Sequence, residues 1–293
     1  MNLSLLVAGA LLATSLTAHP EAAEAPEAND PASSFAKLKA LAADRPLIVA
    51  HRGDSSEFPE NTVPAFESAI FQSAEIIELD VYKTIDGHWV CFHDKTLDRT
   101  TNAEVVFGAA GLKIEERTLM ELRRLDAGVW KGERFVGVRI PTLEEALEAI
   151  LPSATPLIER KGGDAESLAT FLKARGELDQ VIVQAFDWAF LEDFRGHAPT
   201  ATLGALGSGE MTIDHVARFR EHAFHLVHWR GSDVTTEMLR VLHKREFLTM
   251  VYTLNTDVEY AGAAVLGVGG ITTDDPNHLR GRIQAGFAIR RGR

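Results

Sequence analysis

The chain has 293 residues, 45% of them hydrophobic and 25% charged, which is ordinary globular composition and enough for one large domain. With 42 acidic against 30 basic side chains and a net charge of -12, it lacks the Lys/Arg excess that nucleic acid or an anionic membrane surface rewards, so an anionic ligand has to be held locally. The single cysteine, Cys91, sits in the apolar stretch Val90-Cys91-Phe92, which excludes an intrachain disulfide and predicts a buried, inert thiol.

In chain order, residues 3–18 form one apolar stretch with small residues at its end, shorter than the roughly 20 residues that span a bilayer. This predicts a signal peptide over residues 1–18, export to a periplasm or the medium, and no stable membrane span. Lys37 is the first basic side chain, so only the amino terminus supplies the usual leading charge. Residues 19–34 are rich in Ala, Glu and Pro with no apolar period, and 19–44 is expected to be a disordered linker ahead of a folded unit at 45–293.

From there a short apolar run, a polar turn and a helical stretch alternate. Strands are expected at residues 47–50, 76–81, 156–158, 181–184, 201–206, 224–227, 247–252 and 270–272. Helices are expected at 143–151, 165–174, 236–245 and 257–264 among the connections. Eight buried runs with crossover helices predict an α/β fold, a TIM (β/α)8 barrel. One connection breaks the rhythm. Residues from about 95 to 139 carry Gly108, Gly111, Gly128, Gly132 and Gly137 and exceed an ordinary loop, so they read as a segment inserted after the second strand at the barrel mouth, partly helical around 118–125.

The run Leu47-Ile48-Val49-Ala50 stops abruptly at His51-Arg52-Gly53, and ligands in parallel sheets gather at C-terminal strand ends, which makes His51 and Arg52 site candidates. Thr62 is the expected N-cap of the next helix. Glu78 and Asp80, two apart in a strand, face the same way with Cα atoms roughly 6.5 Å apart. Buried like charges share a proton or bind a cation, and an all-oxygen set suits one divalent cation, Mg2+ or Ca2+. On the third strand Glu159 is a further ligand candidate, Lys161 on the same face can neutralise a phosphate oxygen, and Arg160 should turn towards the helix layer or solvent. Asp86-Gly87 signals a two-residue hairpin; with that turn Ile85 faces His88 and Asp80 faces His93, returning His93 to the carboxylates.

Taken together, His51-Arg52-Gly53, Pro59-Glu60-Asn61-Thr62, Glu78-Leu79-Asp80-Val81, Thr84-Ile85-Asp86-Gly87, His93-Asp94, Leu97-Asp98-Arg99-Thr100-Thr101, Ile140-Pro141-Thr142-Leu143 and Thr272-Thr273-Asp274-Asp275-Pro276 resemble the glycerophosphodiester phosphodiesterases. The resemblance runs from residue 47 to the C-terminus and is carried by the ordered set. It implies a TIM barrel, a divalent metal, and hydrolysis of small-molecule glycerophosphodiesters to glycerol 3-phosphate and an alcohol, with attack by the glycerol 2-hydroxyl through a cyclic phosphate. It places the catalytic histidines at His51 and His93, the metal carboxylates at Glu78, Asp80 and Glu159, and the phosphate-binding arginine at Arg52. The sequence departs from the family at Arg160, where an apolar residue is usual, at Ala185-Phe186 in place of Ser-Phe, and at Tyr252, which replaces a tryptophan. The last two bear on the leaving-alcohol preference, with Tyr252 a substrate contact. Two rival readings are a phospholipase D-like phosphodiesterase, of the sphingomyelinase or lysophospholipase D type, and a non-catalytic barrel that binds phosphate compounds. The oligomeric state is not legible.

Overall fold

A computed structural model describes residues 31–287, so the expected signal peptide and the first part of the expected linker lie outside the described residues. The strands are β1 Leu47–Ala50, β2 Ile76–Lys83, β3 Trp89–Cys91, β4 Thr155–Arg160, β5 Ile182–Ala185, β6 Thr202–Gly207, β7 Leu226–Arg230, β8 Leu248–Tyr252 and β9 Gly270–Thr273. They run in the order β1-β9-β8-β7-β6-β5-β4-β2, and β1 pairs back onto β2. All these pairings are parallel, so eight strands close a barrel, while β3 lies antiparallel on β2 outside the closure. This is the expected TIM barrel. Its outer layer is the helices Val63–Phe71, Leu143–Ile150, Ala165–Ala174, Trp188–His197, Ile213–Glu221, Thr236–Lys244, Asp257–Leu266 and Pro276–Gln284. Most begin on a side-chain cap at the residue before, such as Thr142, Asp164, Thr235, Thr256 or Asp275, which satisfies a free backbone N–H of the first turn. Thr62 departs from its expected role: it precedes Val63–Phe71 without a capping bond, and its hydroxyl donates instead to Pro59 O at 2.6 Å.

Because side chains alternate along a strand, each stave contributes to two environments. One set of positions packs outward against the helices. The other points into the barrel, where Leu47, Val49, Ile76, Leu157, Ile182, Leu226, Leu248 and Met250 form an apolar floor. One step further along the same staves, the inward positions turn polar.

Three expectations are corrected. Residues 31–44 are not a linker but the helix Pro31–Asp44, whose Phe35, Leu38 and Ala42 pack on the barrel floor; spacings of three and four put them on one helical face. The β2–β3 hairpin does not close on a two-residue turn. Val81 pairs with Cys91 and Lys83 with Trp89, and the Thr84 N–H donates to His88 O at 2.8 Å, so three residues, Ile85, Asp86 and Gly87, form the loop. Gly87 takes φ +89, and the Thr84 hydroxyl, bonded to Asp86 Oδ1, accepts from His88 N and braces the wider turn. The register therefore slips by one, and Phe92, not His93, lies opposite Asp80.

The long segment after β3 contains the short helices Ala103–Phe107 and Leu119–Leu122 and has its own small core of Phe92, Leu97, Ile114, Leu122, Leu125 and Ile140. It docks on the loop after β1: Lys131 Nζ donates to Ser55 O at 2.7 Å, Arg134 Nη2 to Glu57 O at 2.9 Å, and Phe58 meets Phe135 at 5.4 Å. Cys91 is buried, and burial pushes its thiol well up, as expected of an inert cysteine.

Candidate active site

The polar layer is assembled from strand ends. Asp80 of β2 and Glu159 of β4 are direct neighbours in the ladder, and Glu78 projects from the same face one pleat below. Oxygen atoms of the three carboxylates lie within 4.8 Å of one another, and all three residues are buried. Burial, reinforced by Asp80 and Glu159, pushes Glu78 well above the usual carboxylate range. Burial and Asp80 together raise Glu159 to about 7 against the pull of Lys161. Asp80 goes the other way: burial would raise it, but Lys161 and Arg52 hold it down.

The cations are interleaved with this cluster. Lys161 Nζ is bonded to Glu159 and lies 3.3 Å from Asp80 Oδ1. Arg52 donates its backbone N–H to Glu78 Oε2 at 2.9 Å, pairs through Nη1 with Glu60 at 2.7 Å, and brings Nε to 3.2 Å from Asp80 Oδ2. This reach depends on a bent backbone. Arg52 and Asn61 both adopt φ near +55, and Gly53 at φ +83 lies so close to the helix Val63–Phe71 that a Cβ would sit 2.6 Å from the Ala65 carbonyl carbon. Arg160 turns outward, as expected, over the Phe190 ring.

Both histidines are aimed by carboxylates. His51 Nδ1 donates to Asp274 Oδ1 at 2.6 Å, and His93 Nδ1 donates to Asp94 Oδ1 at 2.6 Å. In each case Nε2 is left as the nitrogen free to exchange a proton. Burial would raise Asp274, but the bonds from His51, Asn255 and Ser55 bring it down to about 2, so it remains an anion. Burial lowers His93, aided by Arg52 and Lys161 and opposed by Asp80. His93 thus reaches the carboxylate field even though the expected register fails, because the chain leaves β3 at Cys91 and carries it there.

Sequence reasoning passed over several partners. Asn61 brackets Asp80, donating from Nδ2 to Oδ2 at 2.8 Å and accepting from its backbone N–H at 3.0 Å. Arg99 makes paired hydrogen bonds to both Asp94 and Glu60 and ties the His93 arm to Arg52. Asn255 holds Asp274 through Nδ2 at 2.7 Å. Asp94, Arg99 and Asp274 all stand inside motifs already quoted; Asp94 and Arg99 act locally on the His93 arm, whereas Asp274 reaches His51 only because β1 lies beside β9. Below the site, His228 donates from Nδ1 to Gln184 Oε1 and accepts from the Thr272 hydroxyl, both at 2.8 Å, and these three buried residues tie the barrel across its interior. Tyr252 stands at the mouth with its hydroxyl committed to Gly207 O at 2.8 Å, its ring edge on His228 and Phe186 edge-on beside it.

The donor set is consistent with a cation. Glu78 Oε1 is buried and has no hydrogen-bond partner among the described residues, an orphan that an all-oxygen cation site would satisfy.

The glycerophosphoryl diester phosphodiesterase family model matches residues 51–278. A glycerophosphodiester phosphodiesterase of Caldanaerobacter subterraneus subsp. tengcongensis is 35% identical over 82% of this chain and 98% of its own length. One of Bacillus subtilis is 32% identical over 88% of this chain and 92% of its own length. Among solved structures, a glycerophosphodiester phosphodiesterase of Agrobacterium tumefaciens superposes with a TM-score of 0.69 at 28% identity, covering 80% of this chain and 99% of that one. An Oleispira antarctica phosphodiesterase, in complex with the product sn-glycerol-3-phosphate, superposes with a TM-score of 0.74 at 24% identity, covering 83% and 99%; at that identity the likeness speaks for the fold.

Proposed function

The chain belongs to the glycerophosphoryl diester phosphodiesterase family, and from that premise we propose that it hydrolyses glycerophosphodiesters to glycerol 3-phosphate and an alcohol, using one divalent cation and two histidines. The observation that carries the reading is the convergence of Glu78, Asp80 and Glu159 between Arg52, Lys161 and two carboxylate-aimed histidines. Glu78, Asp80 and Glu159 would hold the cation, Mg2+ or Ca2+ by donor type. When bound, it supplies positive charge to the phosphate oxygens and lowers the pKa of a hydroxyl.

The protein's own groups do the rest. Arg52 and Lys161 are held in place by carboxylates and add charge where the phosphorus gains a bond. One histidine takes the proton of the glycerol 2-hydroxyl as its oxygen attacks phosphorus. The other gives a proton to the alcohol oxygen as its bond to phosphorus breaks. Water then opens the cyclic phosphate to glycerol 3-phosphate with the roles exchanged. Asp274 and Asp94 keep each ring in the tautomer that leaves Nε2 available and stabilise the charged form.

The apolar stretch at residues 3–18 supports export, to a periplasm or the medium. No helix among the described residues is long and apolar enough to cross a membrane. Product analysis tests the function. Glycerophosphodiesters should yield glycerol 3-phosphate, chelation should stop turnover and a divalent cation should restore it. Turnover confined to sphingomyelin or lysophospholipid, with release of the free headgroup alcohol, would favour the phospholipase D-like reading, and release of a phosphorylated alcohol would contradict both. Phosphate-ester binding with no turnover would favour the non-catalytic one.

A further inference from the structure

A cleft of about 580 Å³ opens beside His51 and Arg52, and its far wall is Trp130 and Lys131 of the inserted segment. Glu78, Asp80 and Glu159 are not in its lining, so it extends from the His51 and Arg52 edge of the site towards the inserted segment. A volume in the range of clefts that enclose whole small molecules is more than a three-carbon glycerol requires. It leaves room for the alcohol half of a diester.

The lining says what kind of alcohol. Most of its charges are engaged within the protein: Glu60 is paired with Arg52 and Arg99, Asp274 with His51, and Asp275 accepts from the His278 backbone N–H as a helix cap. The hydroxyls of Ser55 and Ser56 donate to Asp274 and Asp54, which leaves their oxygens able to accept from a ligand's hydroxyls. An aromatic face is the usual attraction for a quaternary ammonium group. The cleft's aromatic ring, Trp130, already has the Lys131 ammonium 5.6 Å from its centroid, and Lys131 is fixed there by its bond to Ser55 O. A second cation would meet an occupied face and a like charge.

Building on the hydrolase reading above, we propose that this cleft is the leaving-alcohol subsite and that it selects an uncharged polyhydric alcohol over a cationic one, with Lys131 as the discriminating residue. The test compares kcat/KM for glycerophosphoinositol and glycerophosphocholine in the wild type, Lys131→Met and Lys131→Arg. The wild type should favour glycerophosphoinositol. Lys131→Met should shrink that preference roughly two- to fivefold, the worth of a solvent-accessible cation–π contact made available to choline, and Lys131→Arg should keep it. A wild type that favours glycerophosphocholine overturns the proposal. So does a Lys131→Met enzyme whose two rates fall in parallel, the result expected if Lys131 only braces the Ser55 loop or if glycerol fills the cleft. Absence of glycerol 3-phosphate from both substrates, in folded protein supplied with Mg2+ or Ca2+, would instead sink the hydrolase reading and the subsite with it.

Discussion

The floor and the mouth of this barrel are built from the same strands a pleat or two apart, and they follow opposite rules. On β4, Leu157 is buried among apolar side chains with the helix Pro31–Asp44 beneath, while Glu159 is buried against two other carboxylates. On β7, Leu226 belongs to the floor and His228 to the polar tie. Burying the lower residues stabilises the fold; burying the upper ones opposes it, since charge removed from water is costly unless paired. The hydrocarbon layer therefore holds rigid a set of groups that would not assemble on their own.

That contrast is broken or sharpened by separating activity from stability. The largest effect belongs to the mouth: His51→Ala and His93→Ala should each lower kcat by roughly 10²–10⁴-fold, with little change in Tm, because neither opens a cavity in the floor. With a nitrophenyl leaving group, loss of the general acid should matter much less than loss of the base; equal losses would withdraw the division of labour. Next comes the floor, where Leu226→Ala should cost about 2–5 kcal/mol in urea unfolding while kcat at low temperature stays near normal. Deleting residues 1–30 should leave the barrel folded, whereas extending the deletion through Asp44 strips Leu38 from the floor and should lower Tm. A smaller effect is expected of Asn61→Gly, which keeps the left-handed backbone but frees Asp80 and should weaken cation affinity roughly 10–100-fold.

An effect visible only as the pH falls tests the boundary between the layers. Burial, with a further push from His51, holds His228 down at about 3. The unfolded chain titrates near 6.5, so between those values it binds a proton that the folded state refuses. Stability contributed by neutral His228 is complete above about pH 6.5 and falls by about 1.4 kcal/mol per pH unit as the pH drops towards 3. Unfolding free energies measured across that window in wild type and His228→Leu should diverge by that slope. Parallel curves would mean that the polar tie carries no such proton linkage.

The two layers were unequally legible in the sequence. Alternation alone put Glu78 with Asp80, and Glu159 with Lys161, on shared faces, because a two-residue period does not depend on where a strand ends. Strand ends were read short where polar residues sit on the ladder, as at Lys83 and Arg230, which pair with Trp89 and Tyr252. The helix Pro31–Asp44 was hidden by the Ala- and Pro-rich composition around it, although Phe35, Leu38 and Ala42 carry a helical stripe. The hairpin misled because Asp-Gly signals a turn without fixing the loop length, and the Thr84 hydroxyl stabilises the longer one. Asp274 and Asn255 reach His51 only because the barrel closes, and no local pattern reports that closure.

The central claim is that three buried carboxylates at the mouth hold a cation. It is tested most directly by calorimetric titration of chelated protein with Mg2+ and with Ca2+, in the wild type and in Glu78→Gln. Wild type should show one saturable site for at least one of the two ions, and folded Glu78→Gln, which replaces the carboxylate bearing the unpartnered Oε1 with a neutral amide, should bind it an order of magnitude or more weakly. Equal affinity in the two proteins, or no binding of either ion by folded wild type, would contradict it.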